Sequence, residues 1–133
     1  WFQHSVLLEV LRVLSRQNTV VVVTSDHGLV HCRRPSVVLG NRETSTSIRY
    51  KFGDNLVCNE NEAIHIRKPD EFMLPPGHLN KQYVMARENF FFVYPTNQHH
   101  YERQFRGTFQ HGGISLEEMV LPVATLTPRS LGA

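Results

Sequence analysis

The chain has 133 residues, which is enough for one compact domain with a hydrophobic core and too few for two. Hydrophobic residues make up 41% and charged residues 20%, and the net charge is +2 with the histidines neutral. So small a charge gives no support to nucleic acid or an anionic membrane as a partner. No apolar run approaches the roughly 18 residues that a membrane-spanning helix needs.

The chain begins with a pattern typical of half an α/β unit. Apolar residues at helical spacing predict an amphipathic helix over residues 2–16, with Ser5 near its start. The β-branched run 19–24 predicts a strand buried on both faces, as in a parallel sheet covered by helices. Because this apolar pattern is already under way at Trp1, without an initiator methionine, we interpret the chain as a piece of a longer protein.

The middle of the chain predicts short strands separated by turns rich in Pro, Asn and Gly. The predicted strands are residues 29–32, 48–51, 63–66, 82–86 and 90–93. Residues 35–46 hold turn residues and several hydroxyls, and we expect a loop there. We interpret residues 35–104 as a mixed or antiparallel insertion between two core pieces, 1–34 and 105–128.

The last third predicts a helical turn over residues 99–104, a short helix and a final strand over residues 121–127. Ser115 and Glu118 have the spacing of a capping box, which marks the start of the short helix. Pro122 suits the start or the edge of the last strand.

Ser25, Asp26, His27 and Gly28 directly follow the predicted buried strand. In open α/β sheets ligands bind beyond the carboxyl ends of the strands. A carboxylate beside an imidazole offers the oxygen and nitrogen ligands that zinc accepts, and Gly28 lets the backbone turn sharply after them. The alternative is a surface turn in which Asp26 is a cap and His27 is solvated.

His111 is followed by Gly112 and Gly113, immediately before the capped helix. The glycines allow a close approach to a ligand, and a helix N-terminus favours an anion such as phosphate. His111 is therefore a candidate metal ligand or general acid. The alternative is a tight turn with an incidental histidine.

The eight histidines are a high count for so short a chain, but the others lack convergent partners. We expect His31 either to be structural or to lie behind the metal ligands, and His65 to lie on a solvent face. His78 falls in a proline-rich loop, and the neighbours His99 and His100 point in different directions on a helix. Cys32 and Cys58 form no CxxC or zinc-finger spacing, so we expect the reduced thiols of a cytosolic protein.

Arg49, Tyr50 and Lys51 form a basic and aromatic cluster. Together with Arg42 they could bind a phosphate or a phosphodiester backbone. An exposed strand with solvated charges is the alternative, and it is favoured in the absence of other information. The sequence contains no serine-hydrolase elbow, Walker A motif or dinucleotide-binding glycine motif.

Two of these motifs resemble a known superfamily. The run Val20-Val-Val-Val-Thr-Ser-Asp-His-Gly28 resembles the late metal motif of the alkaline phosphatase superfamily. Residues 109–122, Phe-Gln-His-Gly-Gly-Ile-Ser-Leu-Glu-Glu-Met-Val-Leu-Pro, resemble the C-terminal signature of its PglZ branch. The Gly-Gly pair and the Leu-Glu-Glu after it favour this branch over sulfatases and phosphoglycerate mutases. Residues 46–56 resemble the matching stretch of PorX-type response regulators, which are linked to control of type IX secretion.

The resemblance implies a doubly wound α/β sheet with two zinc ions at its carboxyl edge. Asp26 and His27 would bind the zinc that also holds the nucleophile, and His111 would bind the other. The implied substrates are phosphate monoesters and phosphodiesters, including small oligonucleotides. In the PorX-like group the module is a cytoplasmic output domain behind a receiver and a helical linker, with a second copy of the protein as a candidate partner.

The sequence departs from the complete family pattern at its start. The family places its nucleophilic Thr or Ser, an early aspartate and a further Asp/His ligand set upstream of the late Asp-His pair, and we find no candidate for them here. We therefore expect a C-terminal fragment with no catalytic residue of its own, weak or absent metal binding and no turnover in isolation. The alternative is a non-catalytic signalling or protein-interaction module that retains the fold.

Overall fold

The computed structural model describes residues 2–41, 44–75 and 81–128. These described residues fall into two compact units: a terminal unit formed by residues 2–26 and 121–128, and a central unit formed by the described residues between 27 and 120. In chain order the strands are β1 (Val21–Thr24), β2 (Val30–His31), β3 (Arg34–Leu39), β4 (Tyr50–Asp54), β5 (Val57–Cys58), β6 (Ala63–Ile66), β7 (Lys81–Ala86), β8 (Phe90–Val93), β9 (Phe109–Gln110) and β10 (Val123–Leu126). The α-helices are α1 (Val6–Leu14), α2 (Gln98–Phe105) and α3 (Leu116–Met119), and 3-10 turns cover Phe2–His4, Pro69–Phe72 and Pro95–Asn97.

The terminal unit contains the predicted first helix and strand. Ser5 is the N-cap of α1, and its hydroxyl accepts a hydrogen bond from the Leu8 N–H at 3.3 Å. Strand β1 pairs with β10, and the Thr24 hydroxyl donates to the Pro122 carbonyl at 3.0 Å. The predicted helix and both predicted strands of this unit are thus confirmed, with ends shifted by up to four residues, the largest shift being at the start of α1.

The environment of β1 differs from the prediction of a strand buried on both faces in a parallel sheet. Within the part of the chain that the structure describes, its only partner, β10, is antiparallel. Its residues alternate between half-buried and exposed, and Val22 is 59% exposed. A β-branched run favours a strand whatever its neighbours are, so the run predicted the element correctly but not its partner.

The described residues of the central unit form three small sheets. Their strand orders are β5-β3-β8, with β3 and β8 parallel, then β4-β7-β6 and β2-β9, both antiparallel. Side chains alternate across a strand, so Phe91 and Phe92 of β8 enter different hydrophobic clusters. Tyr101 and Phe105 of α2 pack against the cluster that holds Phe91.

Most of the predicted strands in this unit are confirmed. Strands β6 and β8 have the predicted bounds, β7 begins one residue earlier, and β4 lies two or three residues later than predicted. The loop expected over residues 35–46 is wrong in its first part, because β3 runs through Pro35. In β3 the buried residues Ser36 and Val38 alternate with exposed ones, but a proline and a hydroxyl obscure that pattern in the sequence.

Helices and several sheets in one chain make this a mixed α/β protein, as predicted. The antiparallel β4-β7-β6 sheet agrees with the mixed character expected of the middle region. The division into core pieces and insertion stays a prediction. No helix among residues 2–41, 44–75 and 81–128 is long and apolar enough to cross a bilayer.

Candidate functional site

The pairing of two short strands brings His27 and His111 together. Val30 of β2 lies opposite Gln110 of β9 in an antiparallel ladder, so the residues before β2 lie beside those after β9. The two imidazole rings stack with their centroids 3.9 Å apart and their planes inclined by 13°. Two of the three predicted metal ligands, 84 positions apart by their numbers 27 and 111, are therefore neighbours in the fold.

A backbone hydrogen bond fixes which nitrogen of His27 can bind a metal. Nδ1 lies 3.1 Å from the carbonyl oxygen of Gly28. A carbonyl only accepts, so Nδ1 carries the proton and Nε2 carries the lone pair. Metal-binding histidines usually donate their second ring N–H to such an acceptor, so this geometry fits a metal ligand.

The stacking also indicates whether the two rings could bind the same metal ion or two different ions. An imidazole binds a metal through a lone pair that lies in the plane of the ring. Because the rings of His27 and His111 are nearly parallel and stacked, with their centroids 3.9 Å apart, their in-plane lone pairs do not point at a common metal position. This arrangement fits one ring for each of two ions better than two rings on one ion.

Asp26 is the last residue of the first segment of the terminal unit and directly precedes His27 in the chain. Its side chain is exposed. Its convergence with His111 stays a prediction. Within the described ranges, no three side chains of His, Cys, Asp or Glu are grouped so that they could hold a metal ion.

A buried ion pair that sequence reasoning missed lies behind the His111 segment. Arg49 is 0% exposed, and the side chain of Glu118 is 3% exposed. Arg49 Nε donates to Glu118 Oε1 at 2.8 Å and Nη2 donates to Oε2 at 2.5 Å, a bidentate arrangement. The guanidinium also donates to the carbonyl oxygens of Phe90 and Ala86, so its charge is fully engaged inside the protein.

The carboxylate of Glu118 also binds the backbone that follows His111. Oε1 accepts from the Gly113 N–H at 2.9 Å, and Oε2 accepts from the Ser115 N–H at 3.0 Å. Burial alone would raise the pKa of this carboxyl, but the hydrogen bonds from Arg49, Gly113 and Ser115 outweigh it and leave the pKa below its usual value.

The start of α3 confirms one sequence prediction and corrects another. Ser115 and Glu118 form the predicted capping box. Of the two hydrogen bonds of this box, the one from the Ser115 N–H to the Glu118 carboxylate is the stronger. The Ser115 hydroxyl makes no hydrogen bond of normal geometry within the described part of the chain. The start of this helix was expected to favour an external anion such as phosphate, but the anion that the N–H groups of Gly113 and Ser115 bind just before it is the protein's own Glu118 carboxylate.

The glycines after His111 are explained by packing as well as by any ligand. Gly112 has φ +99°, a conformation that residues with a Cβ rarely adopt, and a Cβ there would lie 3.0 Å from the Tyr50 ring. A Cβ at Gly113 would overlap the guanidinium of Arg49. The His111 segment therefore lies directly against the first residues of the β4 region.

The predicted phosphate-binding cluster has a different environment from both earlier interpretations. Arg49 and Lys51 are buried, and Tyr50 is half-buried against Gly112. Arg42 lies outside the described residues. Buried cations that already have partners do not form an exposed site for an anion.

Lys51 has its own set of interior contacts. Its Nζ donates to the Ser45 carbonyl at 3.0 Å and lies 4.5 Å from the centroid of the Tyr94 ring. Tyr94 donates its hydroxyl to the same carbonyl at 3.3 Å. Burial lowers the pKa of Lys51 to about 8, so this ammonium is charged at neutral pH at a cost to stability.

The remaining histidines divide between structural and exposed positions. His31 is structural, as expected, since its Nε2 donates to the Gly107 carbonyl at 2.9 Å and its Nδ1 accepts from Arg33 at 3.2 Å. The solvent face expected for His65 is wrong: its side chain is 6% exposed, and Nε2 lies 2.8 Å from the side-chain oxygen of Gln82. His99 and His100 are exposed on α2, and His78 lies outside the described residues.

Comparison with known proteins identifies the family of this chain. Residues 3–126 match the family model described as the BREX system PglZ alkaline phosphatase-like domain. A search of curated proteins returns no significant match. The family match covers nearly the whole chain and includes both His27 and His111. This chain therefore belongs to the PglZ family of alkaline-phosphatase-like domains.

Proposed function

We propose that this chain is part of a zinc-dependent phosphodiesterase or phosphatase, within the output domain of a two-component response regulator. Membership of the PglZ family supports a phosphatase-superfamily domain. The resemblance of residues 46–56 to PorX-type proteins supports the regulatory setting, with a receiver and a helical linker as neighbouring domains. The substrate class is a phosphate ester or phosphodiester such as a short oligonucleotide.

The observation that carries the proposal is the stacked pair of His27 and His111, with His27 Nδ1 held by the Gly28 carbonyl. Asp26 and His27 would hold one zinc ion, and His111 would hold a second. Bound zinc in this superfamily neutralises the charge on phosphoryl oxygens and lowers the pKa of the nucleophile.

Other groups of this chain would set the tautomer of His27 and support the segments that carry the ligands. The Gly28 carbonyl keeps the proton on Nδ1 of His27 and so places the lone pair on Nε2, the tautomer that a metal ligand at Nε2 requires. Asp26 and His111 are exposed and His27 is half-buried, so ligands on this segment would be accessible to a substrate from solvent. The buried ion pair of Arg49 and Glu118 lies beneath the His111 segment rather than at the surface.

The experiment is a His111→Ala substitution in the full-length protein. We expect the variant to contain less zinc than the wild type and to lose cleavage of bis(p-nitrophenyl) phosphate, because an alanine has no metal ligand. Zinc is counted by inductively coupled plasma mass spectrometry, and cleavage is followed by nitrophenolate absorbance.

His99→Ala is the matched control, since His99 is an exposed histidine on α2. It should keep the zinc content and the activity of the wild type. Unchanged zinc in His111→Ala would remove His111 from the ligand set. A wild-type protein that binds no zinc and cleaves no ester would favour the non-catalytic module.

A further inference from the structure

Both histidine segments are bound by one residue, Glu118. Its main-chain carbonyl accepts a hydrogen bond at 3.3 Å from the N–H of Gly28, the residue after His27. Its carboxylate accepts at 2.9 Å from the N–H of Gly113, two residues after His111. The backbone and the side chain of Glu118 therefore tie the two segments to a common point.

The contact on the His27 side leaves little room for movement. A Cβ at Gly28 would overlap the carbonyl oxygen of Glu117, so the backbone of this segment lies directly against the start of α3. A glycine is required at this position by close approach to another backbone rather than by an unusual φ. The position of His27 thus depends on the position of α3.

The side chain of Glu118 has little freedom because Arg49 holds both of its oxygens. The guanidinium contacts both carboxylate oxygens and is itself bound to the carbonyls of Ala86 and Phe90. Ala86 is the last residue of β7 and Phe90 the first of β8, so Arg49 connects the carboxylate to the sheets of the central unit. A planar, bidentate pair fixes orientation as well as distance.

We propose that Glu118 and Arg49 are a positioning pair that holds the imidazoles of His27 and His111 in their stacked arrangement. Neither residue touches the histidine rings in the contacts above; each acts through the backbone of the two segments. The role of the pair in metal binding rests on the proposed zinc site, whereas its role in holding the rings does not.

The first test uses nuclear magnetic resonance on the metal-free protein. The wild type should show nuclear Overhauser contacts between the ring protons of His27 and His111, because the ring centroids are 3.9 Å apart. The double variant R49M/E118M removes both charges together, so neither is left buried without its partner and the fold should survive. In this variant the contact between the two rings should be lost.

A folded R49M/E118M protein that keeps the contact between the rings would overturn the proposal. The ring contact between His31 and Phe109, 5.1 Å apart, reports whether the β2-β9 pairing survives in the same sample. The matched control is R67M/E60M, which removes an ion pair whose two side chains are each 60% exposed. If the contact between His27 and His111 is also lost in that control, its loss in R49M/E118M is not specific to the buried pair, and the positioning role is contradicted.

The second test measures zinc affinity in the full-length protein by competition with a chelator. Substitutions behind a metal ligand typically weaken binding by about 10–100-fold, and we expect a loss of that size in R49M/E118M. An unchanged affinity would contradict the positioning role. Absence of zinc from the wild type would contradict the proposed function alone, and the ring contacts would still decide whether the pair positions the histidines.

Discussion

Replacing Arg49 with methionine is expected to lower the free energy of unfolding by about 3–5 kcal/mol, because it leaves the carboxylate of Glu118 buried without its counter-charge. That carboxylate is 3% exposed and would keep only the N–H groups of Gly113 and Ser115 as partners. Methionine fills a volume similar to that of arginine, so the decrease in the free energy of unfolding comes from the unpaired charge of Glu118 rather than from a cavity. Urea unfolding followed by far-ultraviolet circular dichroism gives the free energy.

Two further variants separate the charge from other effects of the substitution. R49M/E118M should be more stable than R49M, since no uncompensated charge remains. R67M, in the solvent-exposed pair with Glu60, should lower the free energy of unfolding much less than R49M does, because water screens that pair. If R49M and R67M lower the free energy of unfolding by the same amount, the buried pair of Arg49 and Glu118 stabilises the fold no more than the exposed pair does.

Raising the pH from 8 to 10.5 is expected to stabilise the protein through Lys51. The pKa of Lys51 is about 8 in the fold, compared with 10.5 in an exposed lysine. Between these values the unfolded chain binds a proton that the folded chain does not, so the free energy of unfolding rises with pH. The cost of burying the charge is fully present below pH 8, amounts to about 3 kcal/mol, and disappears above pH 10.5.

The measurement compares the wild type with Lys51→Met at several pH values between 7 and 10.5. Other groups, such as tyrosines, titrate in both proteins, so the difference between the two curves isolates Lys51. The wild type should gain stability relative to the variant as the pH rises. Parallel curves would mean that burial does not destabilise the Lys51 ammonium.

Local signals in the sequence predicted much of this fold. Ser5 at the start of α1, the capping box of Ser115 and Glu118, and the apolar strands β6 and β8 all depend on residues close together in the chain, and each is confirmed. The motifs around His27 and His111 were recognisable because each is contiguous. Their contact in the fold follows from the β2-β9 pairing, and β9 was not predicted.

The features that were missed depend on contacts between distant residues. Arg49 and Glu118 are 69 positions apart, and nothing in either local segment indicates that they meet. A cation in a short strand is normally solvated, so Arg49 and Lys51 suggested a surface cluster. The β-branched run before Asp26 likewise predicted a strand but not the antiparallel partner that it has.

The central claim is that His27 and His111 bind separate zinc ions. Its most direct test is an anomalous difference map, collected at the zinc absorption edge from crystals of the full-length protein grown with zinc. We predict two peaks, one in contact with the His27 imidazole through Nε2 and the other in contact with the His111 imidazole. A single peak bound by both rings, or peaks that contact neither, would contradict the account.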